Sequence, residues 1–163
     1  MMATIYISIG SNINPAENIK LALVELKQMF GEIACSSHYE SKAVGFDGDN
    51  FINLVVRAET DLDIKSVADR LHKIEDRHGR VRSGPKFSSR TLDLDLLLYD
   101  DKIFEQGKLK IPRDEILFNA FVLKPLAELA PELKHPVVNK TYAELWRSFD
   151  QESQPLWPIE IEA

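Results

Sequence analysis

The chain has 163 residues, a length typical of one domain, and such a domain buries about two thirds of the surface that its unfolded chain exposes. Its composition, 44% hydrophobic and 28% charged, excludes collagen-like, low-complexity and disordered classes, and its single cysteine excludes an internal disulfide. No apolar run approaches the roughly 18 residues of a membrane helix, and the first residues lack the cationic start of a secretory signal. We therefore expect a cytoplasmic protein that binds no membrane.

The net charge of −6 argues against a broad nucleic-acid surface, which is usually basic. Residues 77–90 nevertheless contain no acidic residue and five cations, which are Arg77, Arg80, Arg82, Lys86 and Arg90. A compact basic loop on an acidic chain favours a small polyanionic ligand over a long one. The alternative interpretation is a solvated turn whose charges have no function.

The first half of the chain predicts alternating strands and helices. Period-two alternation predicts strands, and apolar residues at three- and four-residue spacing predict helices. In chain order these patterns give a strand at residues 5–9, a helix at 14–30, an extended stretch at 32–42, a strand at 51–59 and a helix at 63–77. Asn14 and Glu17 can form a capping box at the start of the first helix, and Gly31 suits its end.

The second half begins with the clearest strand in the chain, at residues 92–99. A short hairpin at residues 102–111 and two helices bounded by prolines follow, at 115–130 and 141–148. We expect one α+β domain over residues 1–149, with helices packed on a mostly antiparallel sheet. The remainder, residues 150–163, is acidic and interrupted by proline, and we expect it to be loosely ordered.

Two aspartates alternate with leucines in the strand at 92–99. Side chains alternate across a strand, so the leucines share one face while Asp93 and Asp95 share the other. Carboxylates roughly 6.6 Å apart on one face repel each other unless they converge on one or two hard cations. Mg²⁺ fits best, because it takes one or two carboxylates together with phosphates and water. Beside the basic loop, the pair predicts metal-assisted phosphate chemistry; the alternative is an amphipathic strand with a solvated polar face.

Other reactive residues form no convincing site in the sequence. The four histidines lack metal-ligand spacing; they are His38, His72, His78 and His135. Cys35 has no nearby base, and we expect it to be a small buried residue. The segment Gly10-Ser11-Asn12 matches neither a Walker-type phosphate loop nor a nucleophile elbow, and we interpret it as a strand-to-helix turn.

Five segments carry a further signal, and they are Ile9-Gly10-Ser11-Asn12, Asn50-Phe51-Ile52-Asn53, Gly79-Arg80-Val81-Arg82, Arg90-Thr91-Leu92-Asp93-Leu94-Asp95 and residues 121–131. In this order they resemble the 6-hydroxymethyl-7,8-dihydropterin pyrophosphokinases of folate biosynthesis, over nearly all of the chain before the tail. The resemblance implies a ferredoxin-like α+β fold. It also implies transfer of pyrophosphate from ATP to the hydroxymethyl oxygen of the pterin, with release of AMP. We therefore expect a monomer whose partners are ATP and a hydroxymethyl-dihydropterin.

The resemblance also implies roles in binding ATP and metal. Asp93 and Asp95 would hold two magnesium ions between the ATP phosphates and the acceptor oxygen. Arg82 and Arg90 would bind the phosphates, with Arg90 arriving when its loop closes over the site. Glu75 and Leu96 would line the nucleotide pocket. Beyond the resemblance, we expect further contacts with ATP from cations of this chain, which are Lys86, Lys108, Lys110 and Arg113.

For the pterin, the resemblance implies a stacked site. Phe51 and Phe121 would sandwich the ring, and Asn53 would bond its polar edge. Nearby contacts would come from Ser41, Val44 and Gly45. From the residues alone, plain core packing is the favoured interpretation of Phe51 and Phe121.

The chain departs from the usual family pattern at three places. Phe87-Ser88-Ser89-Arg90 stands where Trp-Gly-Pro-Arg is common, Arg113-Asp114 where His and Tyr are common, and Asn119 where an arginine is common. One lost charge-assisted phosphate bond is worth about 1.5–3 kcal/mol, so we expect a divergent member with weak activity or a different pterin acceptor.

Two other functions are open at this point. One is a non-catalytic or re-purposed pterin- or nucleotide-binding protein with an altered ATP clamp, which the same departures would suit. The other is a ferredoxin-like interaction or RNA-binding module. The acidic net charge argues against the second, as does a strand that carries Asp93 and Asp95, because both would repel nucleic-acid phosphates.

Overall fold

The computed structural model describes residues 2–42, 50–77 and 92–160. Its centre is an antiparallel sheet whose strands are β1 (Ala3–Ser11), β2 (Ala34–Cys35), β3 (His38–Ser41), β4 (Phe51–Thr60), β5 (Asp93–Tyr99) and β8 (Leu156–Ile159). The strand order is β5-β1-β4-β3-β8, and the short β2 also pairs with β4. Within the described part of the chain, no helix is both long and apolar enough to span a membrane.

Two helices cover one face of this sheet, α1 (Pro15–Phe30) and α2 (Ile64–Arg77). Both carry the apolar stripe that their sequences predict, and the stripes pack against isoleucines and leucines of β1, β4 and β5. Together these side chains form the larger hydrophobic core, which we call the α1/α2 core. Leu92, Leu94 and Leu96 belong to it, as the alternation in the sequence predicts.

The opposite face of the sheet packs against α3 (Ala120–Leu129) and α4 (Tyr142–Ser148). Side chains of the sheet and of these helices form a second hydrophobic core, which we call the α3 core. A shift in register between Tyr6 and Ile7 of β1 leaves Leu97 as an extra residue in β5. Because of this bulge, Leu97 and its neighbour Leu98 both join the α3 core. A hairpin of β6 (Phe104–Gln106) and β7 (Leu109–Ile111) connects β5 to a 3₁₀ turn at Asp114–Leu117 that precedes α3.

The predicted α+β fold is confirmed. The order β1-α1-β3-β4-α2-β5 is the βαββαβ order of ferredoxin-like folds. The helices, the hairpin and the strands beginning at residues 51 and 93 lie within two residues of their predicted bounds, except that the predicted helix at 115–130 is divided into the 3₁₀ turn and α3.

Three local predictions differ from the structure. Asn14 makes no capping hydrogen bond, because its left-handed backbone (φ 43°) turns the side chain away from the first turn. Cys35 is exposed, since the two-residue β2 lies at the rim of the sheet. Residues Leu156–Ile159 of the tail form the outer strand β8 rather than loose chain; Pro158 is tolerated there because an edge strand leaves one side of its backbone unpaired.

Candidate active site

Asp93 and Asp95 lie on the sheet face opposite the α1/α2 core, as the sequence predicts. Both are partly buried, and the side chain of Asp95 is 25% exposed. The leucines that alternate with them in the strand fill the α1/α2 core, so packing on one face holds the two carboxylates on the other. Strand geometry places their Cα atoms roughly 6.6 Å apart, a spacing from which two carboxylates can reach a shared cation.

A row of directly paired residues crosses this face of the sheet. Asp93 of β5 pairs with Gly10 of β1, Gly10 pairs with Asn53 of β4, and Asn53 pairs with Tyr39 of β3. Paired residues on neighbouring antiparallel strands project to the same side. Asp93 and Asn53 therefore share a face at two strand spacings, or roughly 10 Å.

Gly10 provides the space that Asn53 occupies. A Cβ atom at position 10 would lie 2.6 Å from Nδ2 of Asn53, well inside ordinary contact distance. The amide of Asn53 thus extends over β1, towards the strand of the aspartates. Asn53 is 5% exposed, and its Oδ1 atom has no hydrogen-bond partner among the described residues. A buried amide oxygen in this condition is costly unless a ligand or water satisfies it.

Phe51 and Ser41 share the face of Asn53, and Phe121 lies on α3, which packs against β3 and β4. Phe51 precedes Asn53 by two residues in β4, and Ser41 pairs with Phe51 from β3. Phe121 is the second residue of α3 and is partly buried against the α3 core. The three side chains and Asn53 thus come from β3, β4 and α3, which pack together. The structure brings these four predicted pterin contacts to one region; Val44 and Gly45 lie outside the described residues.

Arg113 is a cation that lies beside Asp95 among the described residues. Its backbone N–H donates to the carbonyl of the bulged Leu97 at 3.1 Å, which fixes it next to β5. The guanidinium Nη2 lies 3.6 Å from Oδ1 of Asp95 and donates to Oε1 of Glu115 at 3.0 Å. Burial lowers the pKa of Arg113, but these carboxylates outweigh burial, so its pKa stands above the ordinary value. Its buried Nε atom has no acceptor among the described residues, which leaves a donor for a ligand.

Glu75 and Leu96 lie on the other side of β5. Glu75 is 2% exposed, and its Oε2 accepts the backbone N–H of Leu94 at 2.7 Å. The carboxylate thereby satisfies a donor on the outer edge of β5, a structural role that the sequence did not predict. Leu96 is 3% exposed in the α1/α2 core. These two residues are therefore separated from Asp93 and Asp95 by the strand itself.

The predicted lysines and loop cations are placed as follows. Lys110 pairs with Asp114 at 2.9 Å, which satisfies it locally, and Lys108 is exposed in the hairpin. Arg77 ends α2 and pairs with Glu25 of α1 at 2.8 Å, on the α1/α2 side of the molecule. Three predicted phosphate contacts lie outside the described ranges; they are Arg82, Lys86 and Arg90.

Sequence reasoning missed Gly10 and Glu115. Gly10 lies inside β1 rather than in a turn, and a glycine within a strand is a recognised signal of close approach by another group. Glu115 shares the Arg113 guanidinium with Asp95, and nothing in its spacing indicated this. Among the described residues, no group of three or more His, Cys, Asp or Glu side chains could hold a metal ion.

Comparison with known proteins identifies a family. The sequence matches the family model for 7,8-dihydro-6-hydroxymethylpterin-pyrophosphokinase (HPPK) over residues 6–131. The 2-amino-4-hydroxy-6-hydroxymethyldihydropteridine pyrophosphokinase of Haemophilus influenzae is 39% identical over 83% of this chain and 86% of that protein. The Synechocystis protein of the same name is 37% identical over 94% of this chain and 78% of that protein.

Solved structures with the same fold also belong to HPPK proteins. A crystal structure of Plasmodium falciparum HPPK-DHPS with pterin and p-hydrobenzoate has a TM-score of 0.73 at 16% identity, covering 90% of this chain. The chain spans 42% of that longer protein. The match to the family model and the identities to relatives of similar length together show that the chain belongs to the 7,8-dihydro-6-hydroxymethylpterin-pyrophosphokinase family.

Proposed function

We propose that this chain transfers pyrophosphate from ATP to 6-hydroxymethyl-7,8-dihydropterin and releases AMP, a step of folate biosynthesis. The hydroxymethyl oxygen attacks the β-phosphorus of ATP, the bond from that phosphorus to the oxygen it shares with the α-phosphorus breaks, and AMP leaves with that oxygen. The hydroxyl proton passes to water. The observation that carries the proposal is the row Asp93, Gly10 and Asn53, which places a carboxylate pair and an unsatisfied buried amide on one face, roughly 10 Å apart.

Asp93 and Asp95 fit magnesium by the chemistry of their donors. They offer two hard carboxylate groups on one face, partly open, with the rest of the coordination left to phosphate oxygens and water. We propose that they hold two Mg²⁺ ions and that activity depends on them. When bound, magnesium supplies charge neutralisation on the phosphates. The protein's own part would be to keep both carboxylates on one face of β5, which the burial of the alternating leucines on the opposite face supports.

The pterin would lie over Gly10, between the aromatic rings of Phe51 and Phe121. An amide presents a donor and an acceptor, which matches the polar edge of a pterin, and the oxygen of Asn53 is the atom in need of a partner. A flat heteroaromatic ring also suits stacking between two aromatic side chains. Ser41 would complete the site from β3, together with Val44 and Gly45.

ATP would cross the outer edge of β5. Glu75 and Leu96 are on the α2 side of that strand and the aspartates on the other, so a nucleotide that contacts both sets passes over the edge between them. Arg113 would bind a phosphate oxygen through its guanidinium, whose Nε has no acceptor among the described residues. Lys108 and Lys110 of the hairpin would add charge, and Arg82, Lys86 and Arg90, which lie outside the described residues, would bind the phosphates.

Two departures from the family pattern motivate a lower rate than is usual for the family. Asp114 is committed to Lys110, and Asn119 carries no charge where an arginine is common. Losing one charge-assisted phosphate contact costs about 1.5–3 kcal/mol, or one to two decades in rate. We further propose a monomer that acts in the cytoplasm, with residues 1–149 as the catalytic domain, to which the tail adds the edge strand β8.

The test is an assay of AMP formation from ATP, Mg²⁺ and the hydroxymethyl-dihydropterin. We expect turnover by the unmodified chain and a loss of at least about 100-fold in Asp95→Asn, because a lost metal ligand removes several kcal/mol of transition-state stabilisation. Asp101→Asn is the matched control, since Asp101 is an exposed carboxylate just beyond β5, and it should retain full activity. Tight binding of pterin and nucleotide without AMP would favour the non-catalytic alternative, and equal activity in both variants would refute the metal assignment.

A further inference from the structure

The side chain of Gln154 clamps the start of α3. Its Oε1 accepts the backbone N–H of Ala120 at 2.9 Å, and its Nε2 donates to the carbonyl of Phe118 at 2.8 Å. One amide thus bonds the main chain on both sides of Asn119, in the manner of a neighbouring β-strand. The contact joins positions 34 and 36 residues apart in sequence, so it links the tail to a distant element.

This bond replaces the usual cap of the helix. The first N–H groups of a helix have no partner within it, and a side chain of the N-cap residue usually accepts one of them. Asn119 occupies the N-cap position of α3 but makes no capping hydrogen bond. Gln154 instead satisfies the N–H of Ala120, the first residue of the helix, from outside the helix.

The residue that follows Ala120 is Phe121, one proposed wall of the pterin site. Ala120 is buried, so the clamp acts on a backbone already packed against the sheet and fixes the direction in which α3 begins. Gln154 is itself positioned by β8, which starts two residues later and pairs with β3 through Leu156 and Ser41. The tail therefore ties the α3 wall of the site to the β3 wall.

We propose that Gln154 is a positioning residue for pterin binding: its amide holds the start of α3 so that Phe121 faces Phe51 across the ring. This rests on the proposed function. Both hydrogen bonds of the Gln154 amide go to backbone atoms, those of Phe118 and Ala120, so we expect the residue to act through the helix and not on the substrate. Its removal should weaken pterin binding and leave the nucleotide, which is expected at β5, unaffected.

The experiment compares Gln154→Ala with Gln151→Ala. Gln151 is the matched control, since it is a tail glutamine whose amide donates to the carbonyl of Trp146 at 3.0 Å, away from the proposed site. Pterin binding is measured by calorimetry with a non-hydrolysable ATP analogue and Mg²⁺ present, and binding of the analogue is measured separately. We expect the pterin Kd to rise roughly 5- to 20-fold in Gln154→Ala, as one or two net hydrogen bonds predict, and to stay within about twofold in Gln151→Ala. The Kd of the analogue should change in neither.

A conservative variant separates positioning from general stability. Gln154→Glu keeps an acceptor for Ala120 at a helix N-terminus, where negative charge is favourable, but it repels the carbonyl of Phe118. We expect its melting temperature to match the unmodified chain while its pterin Kd is raised. A pterin Kd within twofold of the unmodified chain in both Gln154 variants would overturn the proposal, whatever their melting temperatures.

Hydrogen exchange distinguishes failure of this inference from failure of the proposed function. The amide of Ala120 should exchange at least about tenfold faster in Gln154→Ala than in the unmodified chain, with no ligand present. An unmodified chain that binds no pterin would refute the proposed function, and the exchange result would still decide whether the clamp exists. Unchanged exchange at Ala120 would overturn the clamp itself.

Discussion

Gly10→Ala is the substitution that tests the site with the smallest chemical change. Gly10 lies between the strand of the aspartates and the strand of Asn53, and the added methyl group would lie 2.6 Å from the Asn53 amide nitrogen. Ordinary contacts of a Cβ atom begin near 3.4 Å, so the amide must move by about 1 Å. The nearest atoms to the new methyl group both belong to the Asn53 side chain, so this side chain is what must move.

The expected effect on affinity is larger than the effect on stability. Hydrogen bonds weaken steeply outside 2.7–3.2 Å, so a 1 Å displacement removes one or two bonds between Asn53 and the pterin. That loss is worth about 1–3 kcal/mol, or roughly 5- to 150-fold in the pterin Kd. For stability, replacing a strand glycine gains about 0.5–1 kcal/mol and so offsets part of an overpacking cost of about 1–3 kcal/mol; the cost falls at its low end if the Asn53 side chain can move aside.

The assay is a double-mutant cycle with Asn53→Ala. The pterin Kd and the free energy of unfolding are measured for Gly10→Ala, Asn53→Ala, the double variant and the unmodified chain. In the Asn53→Ala background there is no amide to displace, so Gly10→Ala should add almost nothing to the loss of pterin affinity. A pterin Kd within twofold of the unmodified chain in Gly10→Ala would refute this reasoning. An equal penalty in both backgrounds would refute it as well.

Three further predictions concern the surroundings of the site. Arg113→Met should tighten Mn²⁺ binding to the nucleotide-free protein by roughly three- to tenfold, because it removes a cation 3.6 Å from Asp95. Paramagnetic resonance measures the Mn²⁺ affinity, and an unchanged or weaker affinity would contradict the prediction. Glu75→Ala should lower the free energy of unfolding by about 2–3 kcal/mol, since it leaves the buried N–H of Leu94 unsatisfied, and Glu75→Gln should lower it by less. Urea titration measures both free energies of unfolding, and equal losses in the two variants would be inconsistent with the hydrogen bond. Burial lowers the pKa of His135, and its Nδ1 accepts two backbone N–H groups. Its contribution to stability should therefore be complete above about pH 6.5 and decline as the pH falls below that value. His135→Asn should flatten this decline in melting temperature, and an identical slope in the variant would exclude His135 as the cause.

The fold was predictable where local pattern and packing agree. The apolar stripes of α1 and α2, the alternating isoleucines of β1 and the alternating leucines at the start of β5 each pack into the α1/α2 core as their spacing predicts. The tail was not predictable, because β8 is short and includes Pro158. Its order comes from pairing with β3 and from the packing of Ile159 on the α1/α2 core, which are long-range contacts.

The candidate site was predictable where its residues lie close together in the sequence. Asp93 and Asp95 are two residues apart in one strand, and their shared face follows from strand geometry alone. The need of such a pair for a compensating charge was also predictable, but the contribution of Arg113 depends on a bulge at Leu97 that no sequence pattern marks. Likewise, the clearance that Gly10 gives Asn53 depends on the register between β1 and β4, which the sequence does not specify.

The proposed metal site at Asp93 and Asp95 and the proposed pterin site at Asn53 share one face of the sheet at close range. The most direct test is paramagnetic relaxation of pterin protons by Mn²⁺, in a complex with a non-hydrolysable ATP analogue. We expect strong broadening of the pterin proton signals by a metal within roughly 10 Å of the ring. The broadening should be lost in Asp93→Asn and Asp95→Asn while the pterin stays bound. Bound pterin without broadening in the unmodified chain, or broadening that both variants retain, would contradict it.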